Sequence, residues 1–250
     1  MKSRSLSSVN LWLLACAISF AATGCRTAPG KPGQEPETPR PEQVLDFATL
    51  YGQNCSACHG ENGRNGAAIS LANPVYLAIA GTTTLERITA AGVPGTAMPP
   101  FGKTKGGMLT DRQIAVLAEG MEQAWGNPAA LAGQALPAYA GSAPGNPAQG
   151  QKTFATFCAR CHGVDATGAA AGNGVVTGSL VDPSYLALIS DQGLRSIIFA
   201  GLTEQGAHDW RGYLTGPGAR PMTGQEIDDT VAWLASHRIA TPGQIYKQHP

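Results

Sequence analysis

The sequence predicts an all-α chain of two small helical domains in tandem, and three observations predict it. A five-residue motif occurs twice, as Cys55-Ser56-Ala57-Cys58-His59 and as Cys158-Ala159-Arg160-Cys161-His162. The stretch that follows repeats as well. At a spacing of 109 residues, Leu71, Pro74, Tyr76, Leu77, Leu85, Ile88 and Gly92 fall on Leu180, Pro183, Tyr185, Leu186, Leu194, Ile197 and Gly201. Each copy then closes on an amphipathic segment opened by a capping box, Thr110-x-x-Gln113 and Thr223-x-x-Glu226. Self-similarity at a fixed offset marks a duplicated structural unit, and apolar positions three and four apart make that unit helical.

The repeated motif also carries the chemistry. Two cysteines separated by two residues, with a histidine directly after, form the attachment pattern of a c-type haem. Each thiol adds to one vinyl group of the porphyrin, and the adjacent imidazole ligates the iron. Zinc ribbons and thioredoxin-like pairs do not require that histidine. The expectation is two c-type haems, held covalently by Cys55 and Cys58 and by Cys158 and Cys161, with His59 and His162 as the first axial ligands.

Composition agrees with two domains wrapped around large cofactors. The 250 residues include 32 glycines, 18 prolines and 14% charged residues, a loop-rich chain whose small domains bury little surface on their own. The balance of 17 basic against 17 acidic residues gives no field for gathering nucleic acid, so none is expected as a partner. The six cysteines are all assigned without a disulfide, since four carry haem, Cys16 lies in the leader and Cys25 is the expected lipidation site.

Residues 1–24 read as an export signal, with Lys2 and Arg4 before the apolar run from Leu11 to Ala22. Ala22-Thr23-Gly24-Cys25 resembles a lipobox, which makes Cys25 the expected lipidated N-terminus and the membrane anchor. Residues 25–43 hold five prolines, Pro29 to Pro41, and read as an extended tether reaching on the order of 50 Å.

The first domain is expected at 44–125. A helix over Val44–Gln53 carries Phe47 and Tyr51 one turn apart and delivers the chain into Cys55. A glycine-rich loop follows, then a middle helix around Thr84–Ala91. Met98 stands in the stiff segment Gly95-Thr96-Ala97-Met98-Pro99-Pro100-Phe101, where a thioether is suited to be the sixth ligand. Ile114, Leu117, Ala118 and Met121 then give the closing helix its apolar face.

Residues 126–149 carry no charge and read as a linker, with Leu131, Leu136 and Tyr139 able to pack. The second domain is expected at 150–239, closed by Ile227, Val231 and Leu234, with a tail at 240–250. Carrying the offset past Gly201 sets Ala207 opposite Met98. His208 comes next and is the candidate sixth ligand of the second iron. Met222, opposite Leu109, is the alternative, and an open iron is the third. His237 and His249 read as surface residues.

On these motifs, the aromatic first helix, the methionine on a proline loop and the capped closing helix, each half resembles a class I cytochrome c domain. That resemblance implies a small all-helical fold around each haem and the transfer of single electrons among periplasmic respiratory or photosynthetic partners. A tandem diheme lipoprotein is similar to the membrane-anchored cytochromes that accompany quinol-oxidising complexes, terminal oxidases or other cytochromes. No catalytic residues are expected, because no carboxylate pair, nucleophile triad or phosphate loop stands out. The alternative is a haem enzyme, peroxidase-like, or the haem subunit of a dehydrogenase or oxidase complex.

Overall fold

A computed structural model describes residues 38–131, 133–170, 176–212 and 219–242. The export signal, Cys25 and most of the tether therefore lie outside the described residues, as does most of the C-terminal tail. The described residues from Pro41 onward belong to one compact unit.

Among the described residues the structure is all helical, with nine α-helices and only two isolated β-bridges. In the first half, α1 (Phe47–Asn54) runs into the short α2 (Ser56–His59), and α3 (Pro74–Ala91) and α4 (Asp111–Trp125) follow. The second half repeats the order with α5 (Pro147–Phe157), α6 (Ala159–His162), α7 (Pro183–Leu188), α8 (Asp191–Ala200) and α9 (Gly224–Ala235).

Local chemistry sets these limits. The first helix starts later than its apolar spacing suggests because Asp46 caps it, accepting from the Thr49 amide at 2.8 Å and the Thr49 hydroxyl at 2.7 Å. Asn73, Asn146 and Asp182 each cap a helix whose first residue is proline. The α5 cap places that start inside the expected linker. The middle helix extends well upstream of Thr84, with a break at Gly81 (φ 66°, ψ 160°). The matching stretch of the second half is two helices, α7 and α8, with the Ser190 hydroxyl capping α8 at the aligned position. Both capping boxes form in full.

The first and closing helices of each half cross at close range, and the two copies solve that crossing in opposite ways. A Cβ on Gly120 of α4 would run into the ring of Phe47 on α1. In the second half the aligned residues are exchanged in size: Gly150 of α5 lies under Trp233 of α9, where its Cβ would sit 2.8 Å from the tryptophan Cβ. One large side chain per crossing fills the space in both cases.

The halves share a core. Tyr76 stacks on Phe199 with centroids 6.2 Å apart and planes at 14°, and Tyr139 of the linker meets both rings edge-on. Leu131 is buried, whereas Leu136 is exposed. Arg195, 3% exposed, ties the linker down by donating to the carbonyls of Ala138 and Tyr139 while it pairs with buried Asp228. Across the same junction Asn73 Nδ2 donates to the Ala200 carbonyl at 2.9 Å, and the Ser70 hydroxyl meets Glu204 Oε1 at 2.9 Å.

Candidate haem sites

The backbone of the two motifs is duplicated within a few degrees. Cys55 closes α1 and opens α2 at φ −120°, ψ −35°; Cys158 does the same between α5 and α6 at φ −121°, ψ −31°. In each, the amides three and four residues on, one turn later, return to that cysteine carbonyl: Cys58 and His59 donate to Cys55 O at 3.2 and 3.0 Å, Cys161 and His162 to Cys158 O at 3.1 Å each. A glycine with positive φ follows, Gly60 at 85° and Gly163 at 75°, and turns the chain away below the imidazole. In the first copy a Cβ on Gly60 would collide with the Arg64 carbonyl.

This short helix sets both thiols and the imidazole on one turn, the donor set that two vinyl groups and one iron require. The residues present fit the group. Among the described residues no three Cys, His, Asp or Glu side chains gather as a metal cluster, so the two cysteine pairs do not build a zinc site between them. Burial, and next the neighbouring Cys58, raise the Cys55 thiol to about 11; burial and Cys161 raise Cys158 to about 12. Before attachment these sulfurs are therefore neutral thiols at neutral pH. Burial also lowers both imidazoles, which holds them in the neutral form that ligates iron.

The two histidines then part company. His59 Nδ1 donates to the Ile69 carbonyl at 2.8 Å, fixing the tautomer that leaves Nε2 with the free lone pair. His162 Nδ1 is buried and has no hydrogen-bond partner among the described residues. Behind the first motif Tyr51 donates to the Gly60 carbonyl at 2.9 Å. At the aligned place in the second half stands Phe154, which has no hydroxyl.

The sixth-ligand loops share one backbone path. Gly92 (φ 67°) lies under the first: a Cβ there would come 2.8 Å from Met98 O and 2.6 Å from Pro99 C. Gly201 (φ 72°) lies under the second, and its Cβ would come 2.7 Å from Ala207 O and 2.8 Å from His208 C. Ala207 therefore takes the place of Met98, and His208 that of Pro99. Met98 is half-buried, and its loop is latched by Val93 N donating to Met98 O at 3.1 Å and Met98 N donating to Thr96 Oγ1 at 3.2 Å. His208 is exposed. Met222 is 7% exposed and donates its amide to Trp210 O at 2.9 Å, as Leu109, 6% exposed, donates to Phe101 O at 2.8 Å. Sequence reasoning missed the Ile69 carbonyl, which has no side-chain signal. It also missed Asn73 and Ser70, whose partners lie more than a hundred residues away.

Residues 147–238 match the family described as Cytochrome c, and residues 42–119 match that described as Cytochrome C oxidase, cbb3-type, subunit III. Both halves are cytochrome c domains. The tandem cytochrome accordingly binds two c-type haems, one in each half. A curated relative, "Cbb3-type cytochrome c oxidase subunit CcoP" from Azospirillum sp. (strain B510), is 30% identical over 151 residues, 54% of this chain and 46% of the relative. The cytochrome thus spans about half the length of that relative. Among solved structures, the "Kuenenia stuttgartiensis reducing HAO-like protein complex Kustc0457/Kustc0458" aligns over 82% of this chain and 99% of its own at 16% identity. Its TM-score of 0.39 is too low to say anything of this cytochrome.

Proposed function

We propose that this cytochrome passes single electrons between redox proteins in the periplasm or on the extracytoplasmic face of a bacterial membrane. The observation that carries it is the duplicated cysteine-to-histidine turn, set within one compact unit with a donor loop, the Met98 loop, in its first half. Bound haem supplies a one-electron ferrous and ferric couple, and the chain sets its potential and its contacts. Cys55, Cys58, Cys158 and Cys161 hold the two haems, and His59 and His162 ligate the irons. Met98 is the sixth ligand in the first half. In the second half His208 and Met222 are the side-chain candidates, and neither stands where Met98 does.

The partners we infer are a terminal oxidase complex, a quinol-oxidising complex or other cytochromes; the printed name of the Azospirillum relative supports the first of these. Attachment to the membrane is assigned to a lipidated Cys25 at the head of the proline-rich tether. Among the described residues no helix is long and apolar enough to cross a membrane. The competing reading, an enzyme acting at the second haem, draws on Ala207.

The test is a potentiometric titration of the exported holoprotein, with haem counted per chain as the pyridine adduct. Two haems per chain, reversible one-electron waves and oxidation by membranes that hold a cbb3-type oxidase support the carrier. Two haems that turn over peroxide but give no electron to the oxidase would overturn it.

A further inference from the structure

We propose that the second haem site is a binding site for small exogenous iron ligands: two-atom molecules with a lone pair that also accept electron density from ferrous iron. The proposal rests on the reading of Cys158, Cys161 and His162 as the second haem's attachment, and it goes beyond electron transfer.

Three observations converge on it. The first is the residue aligned with Met98. The matching contacts under Gly92 and Gly201 set Ala207 on the Met98 backbone, and a lone methyl carries no donor atom. His208 follows one residue later in the Pro99 place, and successive residues of a non-helical chain do not share a side. The second is Met222. Its amide bonds to Trp210 O as that of Leu109 bonds to Phe101 O, and it is buried to the same degree, so it occupies the site of a core leucine. The third lies on the other side of the iron. Ile69 O holds the His59 imidazole in one tautomer, while buried His162 Nδ1 lacks such a partner among the described residues.

Beside this loop lies an open surface pocket of about 370 Å³, lined by Ala207, His208, Asp209 and Arg211 among others. Arg211 is held there by Asp209, with Nη2 2.6 Å from Oδ2. A small molecule thus has access to the loop, and charged N–H donors stand beside it.

The probe is carbon monoxide, added to the dithionite-reduced holoprotein and read by difference spectroscopy. The expected result is one carbon monoxide bound per two haems. Ala207→Met should abolish that binding and add a second methionine-to-iron charge-transfer band in the ferric protein. His208→Ala and Met222→Leu should still bind one per chain. Should Ala207→Met fail to fold, cyanide or imidazole added to ferric wild type gives the second reading, with one low-spin shift expected per chain. A wild type that takes up no carbon monoxide, or takes it up only after His208→Ala or Met222→Leu, would overturn the proposal. Uptake at both haems would overturn it too. A pyridine adduct showing fewer than two haems per chain would instead defeat the attachment on which the proposal rests.

Discussion

His59 and His162 sit in turns that match within a few degrees, yet among the described residues only His59 has an Nδ1 partner, the Ile69 carbonyl that accepts from it. The motif residues were legible because covalent attachment demands side chains at fixed spacing. The Ile69 carbonyl was not, since every residue has one and only the folded path brings it to Nδ1. The Met98 side was half legible: the offset set Ala207 opposite Met98, and the contacts at Gly92 and Gly201 place it there in space. Replacing Met98 tests the asymmetry. A thioether favours ferrous iron, so Met98→Ala is expected to lower the midpoint of one haem. The change should be a sizeable part of the roughly 0.8 V that axial ligands command. The other haem should not move, and the methionine-to-iron band should vanish. Redox titration with ferric spectra checks this, and two midpoints shifting together would count against it.

At the scale of elements, the closing helices were read correctly because a capping box is a side-chain pattern, whereas the start of α1 was read too early and that of α3 too late because Asp46 and Asn73 cap them outside such a box. The second closing helix adds a charge to its box. Arg220 binds Glu226 at 2.6 and 2.7 Å, and this hydrogen bond chiefly holds the Glu226 carboxyl down to about 2, against 4.5 ordinarily. A carboxyl depressed by folding stabilises above its unfolded value and loses that contribution as pH falls through the folded one. Glu226→Gln keeps the box, as Gln113 shows in the first half, and removes only the charge. Its stability deficit should be constant near neutral pH and shrink between about pH 4.5 and pH 2, as followed by urea unfolding across pH. Thr223→Ala removes the cap itself and should cost about 1 kcal/mol at every pH in that series. The exchange of Phe47 and Gly120 for Gly150 and Trp233 was invisible in sequence, because neither position looks apolar in both copies.

For the whole molecule, the linker is a structural part and not a spacer. Leu131 and Tyr139 were picked out by composition, but the linker is also bound by Arg195 and Gln192, on a helix more than fifty positions away. The pairing partner of Arg195, Asp228, is buried, with one oxygen left without a partner among the described residues. Arg195→Met therefore leaves a buried carboxylate uncompensated and should cost about 3–5 kcal/mol in urea unfolding of the holoprotein. Adding Asp228→Leu should restore most of it. A double variant as weak as the single would assign the loss to the linker carbonyls instead.

The junction between halves uses different patches from each. Ser70, Asn73 and Tyr76 of the first meet Phe199, Ala200, Gly201 and Glu204 of the second. Such a contact is head-to-tail, and repeated without change it would string domains into an open row rather than close a pair. The two halves do not repeat the residues of that junction. Where the next junction would need an amide donor like Asn73, the second half has Asp182, whose side chain carries no N–H and accepts from the Ser184 and Tyr185 amides. Where it would need a ring like Phe199, the first half has Ala90. The two halves thus present chemically distinct faces at the aligned positions.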